Sequence, residues 1–341
     1  MLLPMNQPRQ GILAAGNFIV DFVKIIDAYP AQDTLANILE EFKANGGGPY
    51  NLLADLAAMG VTYPLYACGV VGDDENGRWI ARDCAQRGIN SDQLRITAQK
   101  PTSYTDAMTV RDTARRTFFH QRGANATFDR TMCDLQRTSA RLFYLGYLLL
   151  LDQLDIFDAT GRSEASRLLE SASETGMITA VDLVSAEKPE YGNLVSAALP
   201  FTDHLLLNEL EASKVLGLRI FPETADELLA AAEKILAGGV RQTVTIHTTR
   251  GAVCVSTNGE TVIQPSLKLP EGYVCGSTGA GDAFAAGYLH GIHECLPLSH
   301  CLYIAVCTAA ASLRHPSPSA GIVAVEDCLA LGKRFGPADF H

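Results

Sequence analysis

The chain has 341 residues, 47% of them hydrophobic and 19% charged, with a formal net charge of −11. That balance excludes a disordered chain and describes a well-cored globular protein. The negative excess argues against a nucleic-acid partner, because nothing in bulk offsets repulsion from phosphates.

Nine cysteines are scattered with no Cys-x-x-Cys pair, and residues 1–10 carry no basic-then-apolar leader. The expectation is a reduced, cytoplasmic protein with thiols in its core. The longest apolar run, 301–313, holds Thr308 and Ser312 and is too short to span a bilayer, so no membrane partner is expected.

A strand-like run at 12–20 opens the chain, and Asp21 follows it directly. Residues at the C-terminal ends of strands face the ligand crevice of an open α/β sheet. Segment 22–45 then interrupts the rhythm; 35–43 has helical periodicity, and its assignment stays open. Gly46-Gly47-Gly48-Pro49-Tyr50-Asn51 is a glycine turn leading into a helix at 49–59. A strand at 63–71 and a helix at 76–87 come next.

The second interruption is 102–123, where alternating runs at 105–110 and 117–120 flank the polar turn 111–116. The pattern predicts a β-hairpin, and a hairpin inserted into an α/β chain is often a lid over the site. Arg111, Arg115, Arg116 and Arg122 with His120 form a local basic patch. It reads either as a solvated hairpin tip or as arginine forks reaching a carboxylate or phosphate on a ligand.

Strands at 141–148, 178–184, 204–207 and 243–248 alternate with helices at 164–174 and 225–237. Alternation of this kind predicts an α/β fold with a mostly parallel sheet covered by helices on both faces. Asn208-Glu209-Leu210-Glu211 follows one of these strands and begins a helix. Asn208 and Glu211 either cap that helix or organise a hydrated Mg²⁺. Two long helices, 281–294 and about 298–314, close the pattern and are apolar nearly all round.

The most informative stretch precedes the first of them. In Gly279-Ala280-Gly281-Asp282 a glycine-rich turn hands over to a buried helix, so backbone N–H groups point from a helix N-terminus at a prospective anion. Asp282 places a carboxylate at that spot. It either N-caps the helix or takes the proton from a hydroxyl during phosphoryl transfer. No Gly-x-x-x-x-Gly-Lys-Ser/Thr loop and no Gly-x-Gly-x-x-Gly turn accompanies it. His290, His293, Cys295, His300 and Cys301 crowd together, but their spacing fits no common zinc pattern and reads as helix packing.

Together these residues resemble the ribokinase-like (phosphofructokinase-B) family of carbohydrate kinases over roughly residues 11–325. Gly279-Ala280-Gly281-Asp282 is similar to the family's anion-hole and catalytic-base motif, and Gly46-Gly47 with Asn51 to its Gly-Gly-x-x-x-Asn motif. Asp21 matches the aspartate that binds sugar hydroxyls. Segment 69–77 looks like the Gly-x-x-Gly-x-Asp-x-x-Gly stretch, and Asn208 with Glu211 like the Asn-x-x-Glu motif.

The resemblance implies one kinase domain with lid segments at roughly 22–45 and 102–123, leaving 326–341 as a C-terminal tail. It implies an acceptor sugar or sugar acid held by Asp21, Gly47 and Asn51, with Arg116 and Arg122 from the lid. ATP would lie over Gly279, Ala280 and Gly281 and touch Thr248, Gly251 and Thr278, with Mg²⁺ placed through water by Asn208 and Glu211. Asp282 would be the base. Members commonly carry an aspartate where Gly276 stands, near a monovalent-cation site, so potassium activation is not implied here. The turn His247-Thr248-Thr249-Arg250 lacks a glycine often found under the nucleotide. A nucleoside kinase of the same fold and a catalytically silent sugar-binding regulator are the competing readings, and a lid-mediated homodimer is the default assembly.

Overall fold

Short runs of branched residues, too brief for helices, pair into the central sheet of the computed structural model, which describes residues 8–113, 115–218 and 224–340. The first half contains β1 (Ile12–Gly16), β2 (Ile19–Ile26), β3 (Ile38–Gly46), α1 (Gly48–Ala58), β4 (Leu65–Gly72), α2 (Glu75–Gln86), β5 (Asn90–Thr97), β6 (Tyr104–Val110), β7 (Arg116–Gln121) and β8 (Leu142–Gly146). The second half begins with α3 (Glu164–Glu174), β9 (Ile178–Asp182), α4 (Tyr191–Ala198), β10 (His204–Asn208), α5 (Glu209–Leu216) and α6 (Ala225–Leu236). It ends with β11 (Thr243–His247), β12 (Gly251–Ser256), β13 (Thr261–Pro265), α7 (Ala280–His293), α8 (Leu298–Ser312) and α9 (Val325–Phe335).

Nine strands form one sheet in the order β13-β12-β11-β10-β9-β8-β1-β4-β5. All neighbours from β11 to β5 are parallel, and β12 and β13 continue as antiparallel edge strands. Both faces are buried, as a parallel sheet requires. Along β1, Leu13 and Ala15 join the core built with α3, α4 and α6, whereas Ile12 and Ala14 join the core built with α1, α7 and α8.

A second sheet of four strands, β3-β2-β6-β7, stands apart. It pairs β2 with β3 and β6 with β7 antiparallel, and β2 with β6 parallel. The predicted hairpin is therefore present as β6 and β7. The helical periodicity counted over 35–43 is overridden: 38–43 enter β3, whose partner is β2, and tertiary pairing outweighs a short local pattern.

Two further expectations need correcting. The run 12–20 is two strands in two sheets, because the chain breaks at Asn17 and Phe18. The Asn17 N–H donates to the Gly146 carbonyl at 3.0 Å and the Phe18 N–H to Asn125 Oδ1 at 3.4 Å, which satisfies the backbone at the break. The expected C-terminal tail, 326–341, packs onto the domain over its described residues: 326–335 form most of α9, whose Cys328 and Leu331 are buried, and Phe340 lies in the core.

The small sheet is anchored where 69–77 meets the start of β6. Asp74 caps α2 by accepting from the Gly77 N–H at 2.8 Å. It also accepts from the Thr102 N–H at 2.7 Å and the Thr102 hydroxyl at 2.6 Å. Asp74→Ala removes a cap and leaves buried donors of Thr102 unpaired, which together cost about 2–4 kcal/mol. Thermal or urea unfolding should register that loss; a change below about 0.5 kcal/mol, the usual size of a surface substitution, contradicts the anchoring role.

Candidate active site

β1 lies between β8 and β4, so the chain leaves it to opposite sides, which makes its C-terminal edge a topological switch point. A cavity of about 460 Å³ opens there. Its floor is made by Tyr147 after β8, Asp182 at the end of β9, Asn208 at the end of β10 and His247 at the end of β11. Gly47 and Asn51 from the start of α1, and Ser277 to Gly279, Gly281 and Asp282 around the start of α7, form its walls. The small sheet closes over it with Asp21, Thr105, Arg116, Phe118 and His120.

Asp282 sits at the centre of the polar contacts. The N-cap of α7 is Gly279, which has φ 77° and whose Cβ position lies 2.6 Å from a carbon of Pro318, so only glycine fits. Asp282 is thus in the first turn and does not cap. Its Oδ2 accepts from Asn51 Nδ2 at 2.8 Å and its Oδ1 from the Tyr147 hydroxyl at 2.6 Å. Asn45 sets the orientation of Asn51, because Asn45 Nδ2 donates to Asn51 Oδ1 at 2.7 Å and to Ser319 Oγ at 2.8 Å. With its oxygen engaged, Asn51 can only turn its NH₂ to Asp282.

Burial raises the Asp282 carboxyl to about 6, while the bonds from Tyr147 and Asn51 pull it back toward ionisation. A carboxyl in that range is ionised at neutral pH yet basic enough to accept a proton. The early N–H groups of α7 have no intrahelical partners and carry the positive end of the helix dipole beside it.

Other carboxyls share the cavity. Burial, and then the Asp282 charge, push Asp21 to about 8. Asp182 is likewise raised by burial and by Asp282, and it accepts from the Tyr144 hydroxyl at 3.0 Å and the Leu183 N–H at 2.9 Å. Glu211, raised to about 7 by burial, forms a capping box with Asn208, each side chain accepting from the other's N–H at 2.9 Å. Capping and a place at the cavity coincide in this pair. Behind the wall, Asp55 is fully buried on α1, and burial keeps its carboxyl well above the usual range.

Not every expected residue reaches the site. Arg122 does not line the cavity, because its guanidinium is engaged by Asp152 Oδ1 at 2.8 Å. Thr248 and Gly251 also stay outside it and close the β11–β12 turn on each other, the Thr248 N–H donating to the Gly251 carbonyl at 2.8 Å. A Cβ on Gly251 would meet the Gln264 carbonyl at 2.5 Å and the Phe340 ring, so strand packing explains that glycine. A Cβ on Gly276 would lie 2.6 Å from Pro316 Cα, so the segment 315–316 fills the space an aspartate side chain would need.

Sequence reading missed Tyr147, Asp182 and His247. All three stand at C-terminal ends of strands, the same signal that singled out Asp21 and Asn208. The histidines and cysteines near 290–301 serve packing: His290 Nδ1 pairs with the Tyr63 hydroxyl at 3.1 Å, and His293 Nε2 accepts from the Gly11 N–H at 2.9 Å. Among the described residues, no three His, Cys, Asp or Glu side chains are grouped to hold a metal ion, and no helix is long and apolar enough to cross a membrane.

The family model for pfkB carbohydrate kinases matches residues 12–324. A ribokinase from Arabidopsis thaliana is 27% identical over 308 residues, covering 89% of this chain and 75% of the relative. An ATP-dependent ribose-1-phosphate kinase from Halopiger xanaduensis is 24% identical over 281 residues, covering 82% and 83%. The solved structure of Arabidopsis thaliana ribokinase complexed with ribose and ATP superposes with a TM-score of 0.76 at 22% identity, covering 95% of this chain and 98% of that one. The nine-stranded sheet flanked by helices is the ribokinase-like fold, and the chain belongs to the pfkB family of carbohydrate kinases.

Proposed function

We propose that the protein transfers the γ-phosphoryl group of ATP to the primary hydroxyl of a small sugar, with Asp282 as general base. One observation carries this reading: a buried carboxylate, held by two neutral donors, stands in the first turn of α7, at the positive end of that helix, in a cavity sized for a small ligand. A capping role cannot explain it, since Asp282 accepts no bond from its own helix.

The acceptor lies between Asp21, Gly47 and Asn51, with its reacting hydroxyl against Asp282. As that oxygen attacks phosphorus, its proton passes to Asp282, and the bond to the leaving ADP oxygen breaks. Tyr147 and Asn51 hold the carboxylate in place and favour its charged form until then. The N–H groups of Gly279, Ala280 and Gly281 stabilise negative charge that grows on the transferred group. Thr278 flanks this anion hole. The small sheet excludes water, which protects ATP from hydrolysis and strengthens every charge interaction inside.

Asn208 and Glu211, with Asp182 beside them, suit a hydrated Mg²⁺ that arrives with the nucleotide. Magnesium keeps several waters and uses few protein carboxylates, so these residues would place it through water. When bound, the ion neutralises phosphate charge. We also assign dimer contacts to the lid, where Leu35, Ile38 and Phe119 are exposed.

Asp282→Asn keeps the size and shape of the side chain but removes the base and replaces one of its two acceptor oxygens by a donor. It should lower kcat by about 10²–10⁴-fold with little change in ligand affinity. Steady-state kinetics checks this, and retention of more than about a tenth of the parent kcat overturns the assignment. The pH profile offers an independent reading. Asp21 and Asp282 both act ionised, so kcat/KM should fall as pH drops, in steps near 8 and near 6. Tyr147→Phe removes a bond that favours ionised Asp282, so the lower step should move to higher pH while the upper one stays. An unmoved lower step would separate Asp282 from the limiting ionisation.

A further inference from the structure

Among the lid arginines, Arg116 alone lines the cavity. It is the first residue of β7, and its Nη1 donates to Thr278 Oγ1 at 2.8 Å, across the gap between the small sheet and the loop that precedes α7. Thr278 directly precedes Gly279, the N-cap of α7. The guanidinium is therefore delivered to the anion-binding end of the helix and not to the wall formed by Asp21, Gly47 and Asn51.

Its charge is not balanced. Arg111 pairs with Glu40 at 3.6 Å and Arg122 with Asp152 at 2.8 Å, but no carboxylate lies within ion-pair distance of Arg116 among the described residues. Its guanidinium carbon lies over the Phe118 ring, 5.7 Å from the centroid. Burial disfavours its charged form, and no opposing charge offsets that cost. A half-buried guanidinium with one neutral partner has donors to spare, and its planar fork matches phosphate oxygens.

We propose that Arg116 is a lid-borne phosphoryl clamp: it binds the γ-phosphate of ATP beside Gly279–Gly281 and completes the anion hole only when the small sheet covers the cavity. The inference rests on the kinase reading above and assigns Arg116 to the donor rather than the acceptor. Its chemistry is electrostatic. Arg116 forms no covalent bond and takes no proton; its N–H groups follow the charge that builds on the equatorial oxygens as the phosphoryl group moves. The Thr278 hydroxyl holds the fork at the site before the nucleotide arrives. Closure and catalysis are thereby coupled, since a lid that is open withdraws a positive charge from the reacting centre.

The test compares Arg116→Ala and Arg116→Lys with the parent enzyme. Calorimetry measures binding of ADP and of a nonhydrolysable ATP analogue, each with Mg²⁺, and steady-state kinetics uses ribose and ribose 1-phosphate as acceptors. A γ-phosphate clamp predicts that Arg116→Ala loses about tenfold or more of the preference for the ATP analogue over ADP. It also predicts a fall in kcat of about 10²-fold, the usual cost of losing one oxyanion donor, with the KM for ribose changed by less than about threefold. Arg116→Lys should recover part of the loss as a point charge, and added guanidinium should partly rescue Arg116→Ala. A raised KM for ribose 1-phosphate with kcat and nucleotide preference intact would place Arg116 on an anionic acceptor and overturn the proposal. Unchanged values in every arm would reduce it to lid packing. If no sugar is phosphorylated but the nucleotide preference still depends on Arg116, the kinase reading fails while the γ-phosphate contact stands.

Discussion

A negative charge is kept out of water at the positive end of α7, and the rest of the site is arranged around holding it there. Asp282 is 4% exposed, and burying a carboxylate is expensive unless donors replace the lost water. Two do so: Asn51 arrives from α1 and Tyr147 from the end of β8. The constraint therefore ties three separate elements together. Asn45, the penultimate residue of β3, extends the tie into the small sheet by aligning Asn51. A shift in any of these elements would leave either a donor or the carboxylate unpaired.

The same constraint explains why the cavity is acidic and still able to receive a nucleotide. Asp21, Asp182 and Glu211 are all raised by burial, and two of them by the nearby Asp282 charge as well. Much of the negative charge is thus withheld by protons until a ligand brings hydroxyl donors or a cation. Positive potential comes from the α7 dipole and from Arg116, both on the side where a phosphate would lie. The charge is divided spatially, with carboxyls at Asp21, Asp182 and Glu211 and donors around the start of α7.

Much of this was legible in the sequence because it depends on local rules. Glycine spacing before an apolar helix marked the start of α7, and strand-end positions marked Asp21 and Asn208. Alternation of strand-like and helix-like runs marked the large sheet. What stayed hidden depends on pairing between distant segments. β3 reads as helical until β2 is known to lie beside it. Arg122 and Arg116 look equivalent in the chain, yet one is claimed by Asp152 and the other by Thr278, residues 30 and 162 positions away. Tyr147 carries no local motif; its role comes only from β8 ending beside β1, opposite the start of α7.

The central claim is that Asp282 is a buried carboxyl tuned to act as a base near neutral pH. Infrared difference titration of its carboxyl band, assigned by comparison with Asp282→Asn, measures that directly. The account predicts an ionisation midpoint at about 6 in the free protein. A midpoint near the ordinary aspartate value of about 4 would mean that water reaches the carboxylate, and would contradict the account.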